Sequence, residues 1–330
     1  MKAMNRSMMK TLFGLLLTMM LVFTAACGAN TSTENQAGSN TTNTEQSATN
    51  APAPTEAAAA YPLTLEDETG TSITFEQAPE KVVTLVPSET EAIYAIGAGE
   101  QVVGVDEWSN YPEEAVSKPK IGDMTTNIEA VIALNPDLVL ASSSMNTEAI
   151  AKLRELNITV YATNPTTYDA VVAKIENLGK IMNKQEEAAA VADHMRSVKQ
   201  QVTDAVKDAE KKSVYLEFSP GWTVGSGTFL DELITIAGGT NIAAGTPDWY
   251  EVSAEEVVTQ NPQLIIYPIM EGDPHPIVAA IESRPGWDVI EAVKTKQMFA
   301  VTQDPLVRVG PRLADGLLEV AKVIHPDLVK

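Results

Sequence analysis

The chain carries few residues placed to perform covalent chemistry. Its three histidines, His194, His275 and His325, are far apart and have none of the short spacings that bring imidazoles onto one metal. No Gly-x-Ser-x-Gly turn, phosphate-cradling glycine loop, dinucleotide fingerprint or His-Glu-x-x-His helix occurs. Gly225-Ser226-Gly227 reads as a turn. The sequence therefore gives no catalytic residue, no metal ligand, no resident cofactor and no enzyme. What stands out are aromatic rings and carboxylates. Trp108 and Tyr111 share the polar loop "DEWSNYP", Trp222 follows the apolar run "VYLEF", and Trp249 stands in "PDWYEVS". Two aromatic rings in one polar loop point to a surface that faces a ligand. Two glutamates are matched in position. Glu129 precedes Asn135-Pro136 by six residues and Glu255 precedes Asn261-Pro262 by six, within "IEAVIALNPDLVLA" and "AEEVVTQNPQLIIY".

Both stretches have the grammar of a helix, a stop and a strand. Asn127 and Ser253 are good N-cap types, which puts Glu129 and Glu255 at the second position of their helices. There a carboxylate complements the helix dipole, an effect worth about 0.3–1 kcal/mol. The unit belongs to a larger repeat. "KVVTLV" from Lys81 is a continuous apolar β-branched run, ended by Pro87-Ser88, and Glu89–Ile96 has helical spacing closed by Gly97 and Gly99. Val102–Val105 and "ITVYATN" from Ile158 are further strands. The second half echoes the first: "VYLEF" is a buried strand, "FLDELITIAGG" a helix ending in glycines, "QLIIYPI" another strand, and Pro311–Ile324 a final helix. Apolar strands alternating with helices indicate parallel sheet. Two α/β lobes follow, 61–183 and 212–330, both Rossmann-like.

Between them, Lys184–Lys211 contains no glycine or proline. Its apolar residues fall at Ala188, Val191, Met195, Val198, Val202 and Val206, a spacing of three and four. As one helix it spans about 40 Å, enough to run across the back of both lobes. A single stiff connector predicts slight hinge motion.

Charge narrows the partners. The 330 residues carry a formal charge of −21, which argues against nucleic acid and anionic lipid surfaces, both bound through Lys/Arg. The N-terminus reads as a targeting segment, 1–26. Lys2, Arg6 and Lys10 precede the apolar run Thr11–Phe23, and the small residues Thr24-Ala25-Ala26 stand before Cys27-Gly28. Cys27 is the only cysteine, and a lone thiol in an exported chain has no intramolecular disulfide partner. Small residues ending at a cysteine followed by glycine resemble the bacterial lipobox, with Thr24 where that motif usually has Leu. The resemblance implies a diacylated Cys27 as mature N-terminus, hence an extracytoplasmic, lipid-anchored protein of the Gram-positive type. Residues 27–60 are Ser, Thr, Asn, Gln, Ala and Pro with almost no large apolar side chain. They read as a disordered tether with a mean span on the order of 30 Å.

From Tyr61 to the C-terminus the chain resembles the single-backbone-helix class of substrate-binding lipoproteins of ABC importers. Those proteins deliver ferric siderophores, haem and cobalamin, and within the class the sequence most resembles the cobalamin binders. The stretches that carry the resemblance are "VVTLVPSETEAIYAIG", "VVGVDEWSNYPEEA", "NIEAVIALNPDLVLA", "WYEVSAEEVV" and "DPLVRVGPR". It implies two lobes with a ligand cleft between them, and a monomer that meets a permease dimer and its ATPase subunits. It implies that Glu129 and Glu255 dock onto permease arginines, one glutamate per lobe. The implied ligand-facing residues are Pro87, Ser88, Trp108, Tyr111, Met124, Trp222, Trp249, Asp304 and Arg308, with Asp304 and Arg308 over the edge of a corrin ring. Arg312 is expected to be structural. Met124 stands where haem receptors of this class place an iron-ligating Met. The partner position holds Met270, with His275 nearby, so Met124 is expected first as an apolar cleft wall. Of six arginines, only Arg308 belongs plainly to the cleft, which disfavours polyanionic catecholates. Cobalamin is the expected transported ligand, with a hydroxamate siderophore or haem as the alternatives.

Overall fold

A computed structural model describes residues 61–270 and 275–330, all within one compact unit. The signal segment, Cys27 and the tether lie outside the described residues. The N-terminal lobe opens with an antiparallel hairpin, β1 (Leu63–Glu66) and β2 (Ser72–Phe75). Next come β3 (Val82–Thr84), α1 (Pro87–Ala95), β4 (Val102–Val105), α2 (Glu113–Val116) and α3 (Ile128–Ala133). The lobe continues with β5 (Leu138–Ser142), α4 (Thr147–Glu155) and β6 (Val160–Thr163). The last four strands are parallel, in the order β4-β3-β5-β6. Every residue of β3, β5 and β6 is buried, as expected of strands covered on both faces. Pro87 does not merely end β3. It occupies the first helical turn of α1, where its missing N–H costs nothing.

The hairpin is fastened by one carboxylate. Asp67 accepts bonds from the Thr69 and Thr71 amides, the Thr69 hydroxyl and the Ala162 amide in β6, and it pairs with Arg154. Burial alone would raise its pKa, but these bonds outweigh burial and hold the carboxyl below the ordinary aspartate value.

The connector is one helix, antiparallel to the last helix of the N-terminal lobe. α5 (Tyr168–Met182) ends at Asn183, whose left-handed φ of 55° turns the chain into α6 (Gln185–Val206). A Cβ on Gly179 would lie 2.3 Å from the Ala188 Cβ, so glycine there is what lets the two helices touch. Ala188, Ala192, Met195, Val198, Val202 and Val206 are buried in one core that also holds Val171 and Ile175 of α5. The 22-residue helix is shorter than the 184–211 expected from the sequence. The regular apolar stripe stops at Val206, and of residues 207–211 all but Ala209 are charged. His194 is exposed on the far face, as a surface residue should be.

The C-terminal lobe contains β7 (Lys212–Ser219), β8 (Trp222–Val224), α7 (Phe229–Ile236), β9 (Gly239–Asn241), β10 (Trp249–Glu251), α8 (Ala254–Gln260) and β11 (Leu264–Pro268). It is completed by α9 (Pro276–Ser283), α10 (Glu291–Lys294), β12 (Met298–Val301), α11 (Gln303–Val307) and α12 (Leu313–Ile324). β9, β7, β11 and β12 are parallel, whereas β8 and β10 add an antiparallel edge. That edge is a departure from the all-parallel lobe the sequence suggests. Its cause is the turn at Pro220-Gly221, where Gly221 has φ 85° and folds β8 back on β7. α12 packs on both α6 and α7, so the core is continuous from lobe to lobe.

Candidate functional site

The segments that follow the C-terminal ends of the parallel strands converge on a cleft of about 740 Å³ between the lobes. Leu85–Glu89 follow β3, Asp106–Asn110 follow β4, Ser142–Asn146 end and follow β5, and Thr163–Thr166 end and follow β6. The opposite wall is made by Gly227–Phe229, Asp248-Trp249 and residues of the 303–309 segment after β12. This is where parallel α/β sheets present their loops to ligands.

Of the ligand-facing residues expected from the sequence, Pro87, Ser88, Trp108, Met124, Trp249, Asp304 and Arg308 line this cleft. Trp108 is 63% exposed and Met124 60%, so both present free apolar surface at its mouth. Trp249 is steadied by edge-on contact with Phe218, centroids 5.0 Å apart, and by Phe229 at 6.4 Å. Two expected residues are placed elsewhere. Tyr111 lies beneath the Arg312 guanidinium, 4.1 Å from ring centroid to Cζ, and lines a separate cavity of about 610 Å³ with Tyr94 and Pro112. Trp222 sits opposite Glu251 on the antiparallel edge, outside the cleft lining. Met270 and His275 are also outside it. The His275 Nδ1 accepts the Ile277 amide and its Nε2 lies 3.1 Å from both the Met270 amide and the Pro268 carbonyl.

Arg308 is spent across the lobe boundary. Its Nη1 donates to Glu91 Oε1 at 2.7 Å and Asn110 Oδ1 at 2.8 Å, and its Nη2 reaches Asp304 at 3.0 Å and the Trp108 carbonyl at 3.2 Å. Arg312 adds two bonds to Glu91, at 2.9 and 2.6 Å. Glu91, 2% exposed, is thus held by two arginines of the other lobe. Arg312 is structural, as expected, and much of Arg308 is too.

The Trp108 loop is pinned from below. Thr84 and Thr90 hydroxyls bond at 2.6 Å, Thr90 and Ser109 at 2.7 Å, and Ser109 bonds to Asp106. The Trp108 amide donates to Asp106 Oδ2 at 2.9 Å. Burial raises the Asp106 pKa, against the opposing pull of those two bonds and of Lys120 and Arg308.

Sequence reasoning passed over Glu89, Asp106, Met145, Asn164, Phe229 and Asp248, which also line the cleft. Most follow a strand end by one to five residues, and that placement was the available signal. The lining contains five carboxylates, Glu89, Asp106, Asp123, Asp248 and Asp304, against the single guanidinium of Arg308. Away from the cleft, Glu129 and Glu255 are exposed at the second position of α3 and α8. Asn127 caps α3 by accepting the Ala130 amide at 3.0 Å, whereas the Ser253 side chain makes no cap bond.

The family model described as periplasmic binding protein matches residues 82–305. The chain belongs to that family. It is 36% identical over 274 residues to an uncharacterized ABC transporter substrate-binding lipoprotein of Bacillus subtilis, covering 80% of this chain and 86% of the relative. A cobalamin-binding protein of Halobacterium salinarum is 31% identical over 270 residues, covering 78% and 73%. The crystal structure of the periplasmic vitamin B12-binding protein of Vibrio cholerae superposes with a TM-score of 0.67 at 28% identity, covering 75% of this chain and 97% of that one. Family membership gives a small-molecule ligand and an ABC importer as partner, and the relatives are transport proteins.

Proposed function

We propose that this protein captures a corrinoid, cobalamin or a close analogue, outside the cytoplasm while lipid-anchored through Cys27, and hands it to an ABC permease dimer. The observation that carries the ligand class is the cleft's composition. Exposed Trp108, Met124 and Trp249 offer apolar contact to a broad ligand. Of the five lining carboxylates Glu89 is paired with Lys174 and Asp304 with Arg308, which leaves Asp106, Asp123 and Asp248 outside any ion pair among the described residues. A polyanionic chelate, or a ligand that brings carboxylates of its own, would meet repulsion there. A large, nearly uncharged ligand rich in amide donors would not. The cobalamin and vitamin B12 binders among its relatives support the same choice.

Handover is assigned to Glu129 and Glu255. Two exposed carboxylates at equivalent helix starts, one per lobe, give a pseudo-two-fold surface of the kind a two-fold permease requires. A spectral titration with cyanocobalamin, haemin and ferrichrome tests the ligand. Saturable binding of cyanocobalamin, with the other two weaker by tenfold or more, is the expected result. Binding of ferrichrome or haemin alone would overturn the corrinoid assignment and leave the family untouched.

A further inference from the structure

Glu89 sits in the first turn of α1 on the cleft lining, and its side chain is 1% exposed. Its Oε1 is fully engaged, receiving Lys174 Nζ at 2.9 Å and the Thr163 hydroxyl at 2.8 Å. Lys174 is itself buried and its ammonium also donates to the Val309 carbonyl at 2.8 Å. The carboxylate is therefore held in one orientation by α5, by the end of β6 and, through Lys174, by the opposite lobe. Its second oxygen, Oε2, is buried and has no hydrogen-bond partner. Among the described residues six buried side-chain atoms lack a partner, and Glu89 alone of their residues lines this cleft.

An unpartnered buried carboxylate oxygen is costly, because it has lost its water without gaining a donor. The buried Lys174 ammonium explains why a carboxylate stands here, but it engages Oε1 and leaves Oε2 without a donor. The cost is returned when a donor arrives in the cleft. We infer that Glu89 is a donor-recognition point at the cleft wall, its Oε2 accepting a hydrogen bond from an N–H of the bound solute. A primary carboxamide on the rim of a corrinoid, or the ammonium of an amine-bearing chelate, supplies that chemistry. The inference rests on the cleft being the solute site, and it adds a residue and a rule: ligands are selected for N–H donors and rejected for carboxylates at that point. Asp106, equally buried beside it on the lining, is satisfied by Ser109 and the Trp108 amide and has no such vacancy.

The test uses two ligand pairs on the purified protein, read by quenching of tryptophan fluorescence. One pair is cyanocobalamin and its monocarboxylate derivatives, in which a rim amide has become an acid. The other is ferrioxamine B and its N,N,N-trimethylammonium form, which keeps the charge and has no N–H at that end. The wild type is expected to bind the donor-bearing member of at least one pair about tenfold or more tighter, the range for a hydrogen bond to a charged group. Glu89→Gln puts an amide donor where Oε2 was, so the ratio should fall below about threefold or invert. Because that variant strips Lys174 of its counter-charge, the double variant Glu89→Gln with Lys174→Met is measured beside it. Preference confined to the ferrioxamine pair contradicts the corrinoid assignment and upholds the role of Glu89. Wild-type ratios near one in both pairs, or ratios unchanged in both variants, overturn it.

Discussion

At the scale of single residues, the cleft separates aromatic rings that look alike in sequence. Trp249 lines the cleft with Phe218 and Phe229 against it, whereas Tyr111, with Arg312 over one face, lines a separate cavity. Trp249→Ala should therefore raise the Kd for cyanocobalamin roughly tenfold or more, and Tyr111→Ala by less than about threefold, in calorimetric titrations. Asp106 gives a pH signature. Its folded pKa lies above the ordinary 3.8, so protons bind the folded state more tightly. Its contribution is then favourable below about pH 4 and is lost as pH rises through the folded value. Asp106→Asn should match the wild type in Tm near pH 3 and gain on it steadily towards pH 7. A variant that falls below the wild type as pH rises would show that the bonds from Ser109 and Trp108 outweigh burial. Trp108, Trp249 and Arg308 could be picked out from the chain because they are unusual residues in resembling motifs. Glu89 could not: next to Glu91 in "SETE" it reads as a first-turn acid, and only Lys174, 85 residues away, makes it particular.

At the scale of elements, the strands and helices were written plainly where burial is two-sided and the apolar runs are unbroken. β3, β5 and β11 and the α6 stripe are of that kind. Among the elements that escaped notice are the β1–β2 hairpin, tied down by Asp67 and Arg154, the three-residue strands β8 and β10, and also the 15-residue α5, whose apolar stripe of Val171, Ile175, Leu178 and Met182 was there to be read. No periodicity can be read from the three residues of β8 or β10. The α5–α6 contact provides the test at this scale. With 2.3 Å between an added Cβ at Gly179 and the Ala188 Cβ, Gly179→Ala must push the helices apart. We expect a loss of about 1–3 kcal/mol in urea unfolding, with ligand affinity changed far less than stability. An unchanged midpoint would mean that α5 and α6 slide to accommodate the methyl group.

At the scale of the whole molecule, the lobes are held by more than the helix that joins them. Glu91 binds Arg308 and Arg312, Lys174 reaches the Val309 carbonyl, and the Tyr168 amide donates to Glu232. These bonds cross from one lobe to the other, and with α6 they favour a preformed site over wide closure. Delivery then depends on a surface separate from capture. Glu129→Lys or Glu255→Lys should abolish uptake of labelled cobalamin in cells while leaving the Kd of the purified protein within about twofold. A parallel loss of affinity would refute that division. The most direct measurement is a crystal structure of the protein grown with cyanocobalamin. The account predicts the corrin ring between the lobes, in contact with Trp108 and Trp249, with a rim amide nitrogen within hydrogen-bond distance of Glu89 Oε2. Corrinoid bound on an outer face, or a cleft left empty at saturating cyanocobalamin, would contradict it.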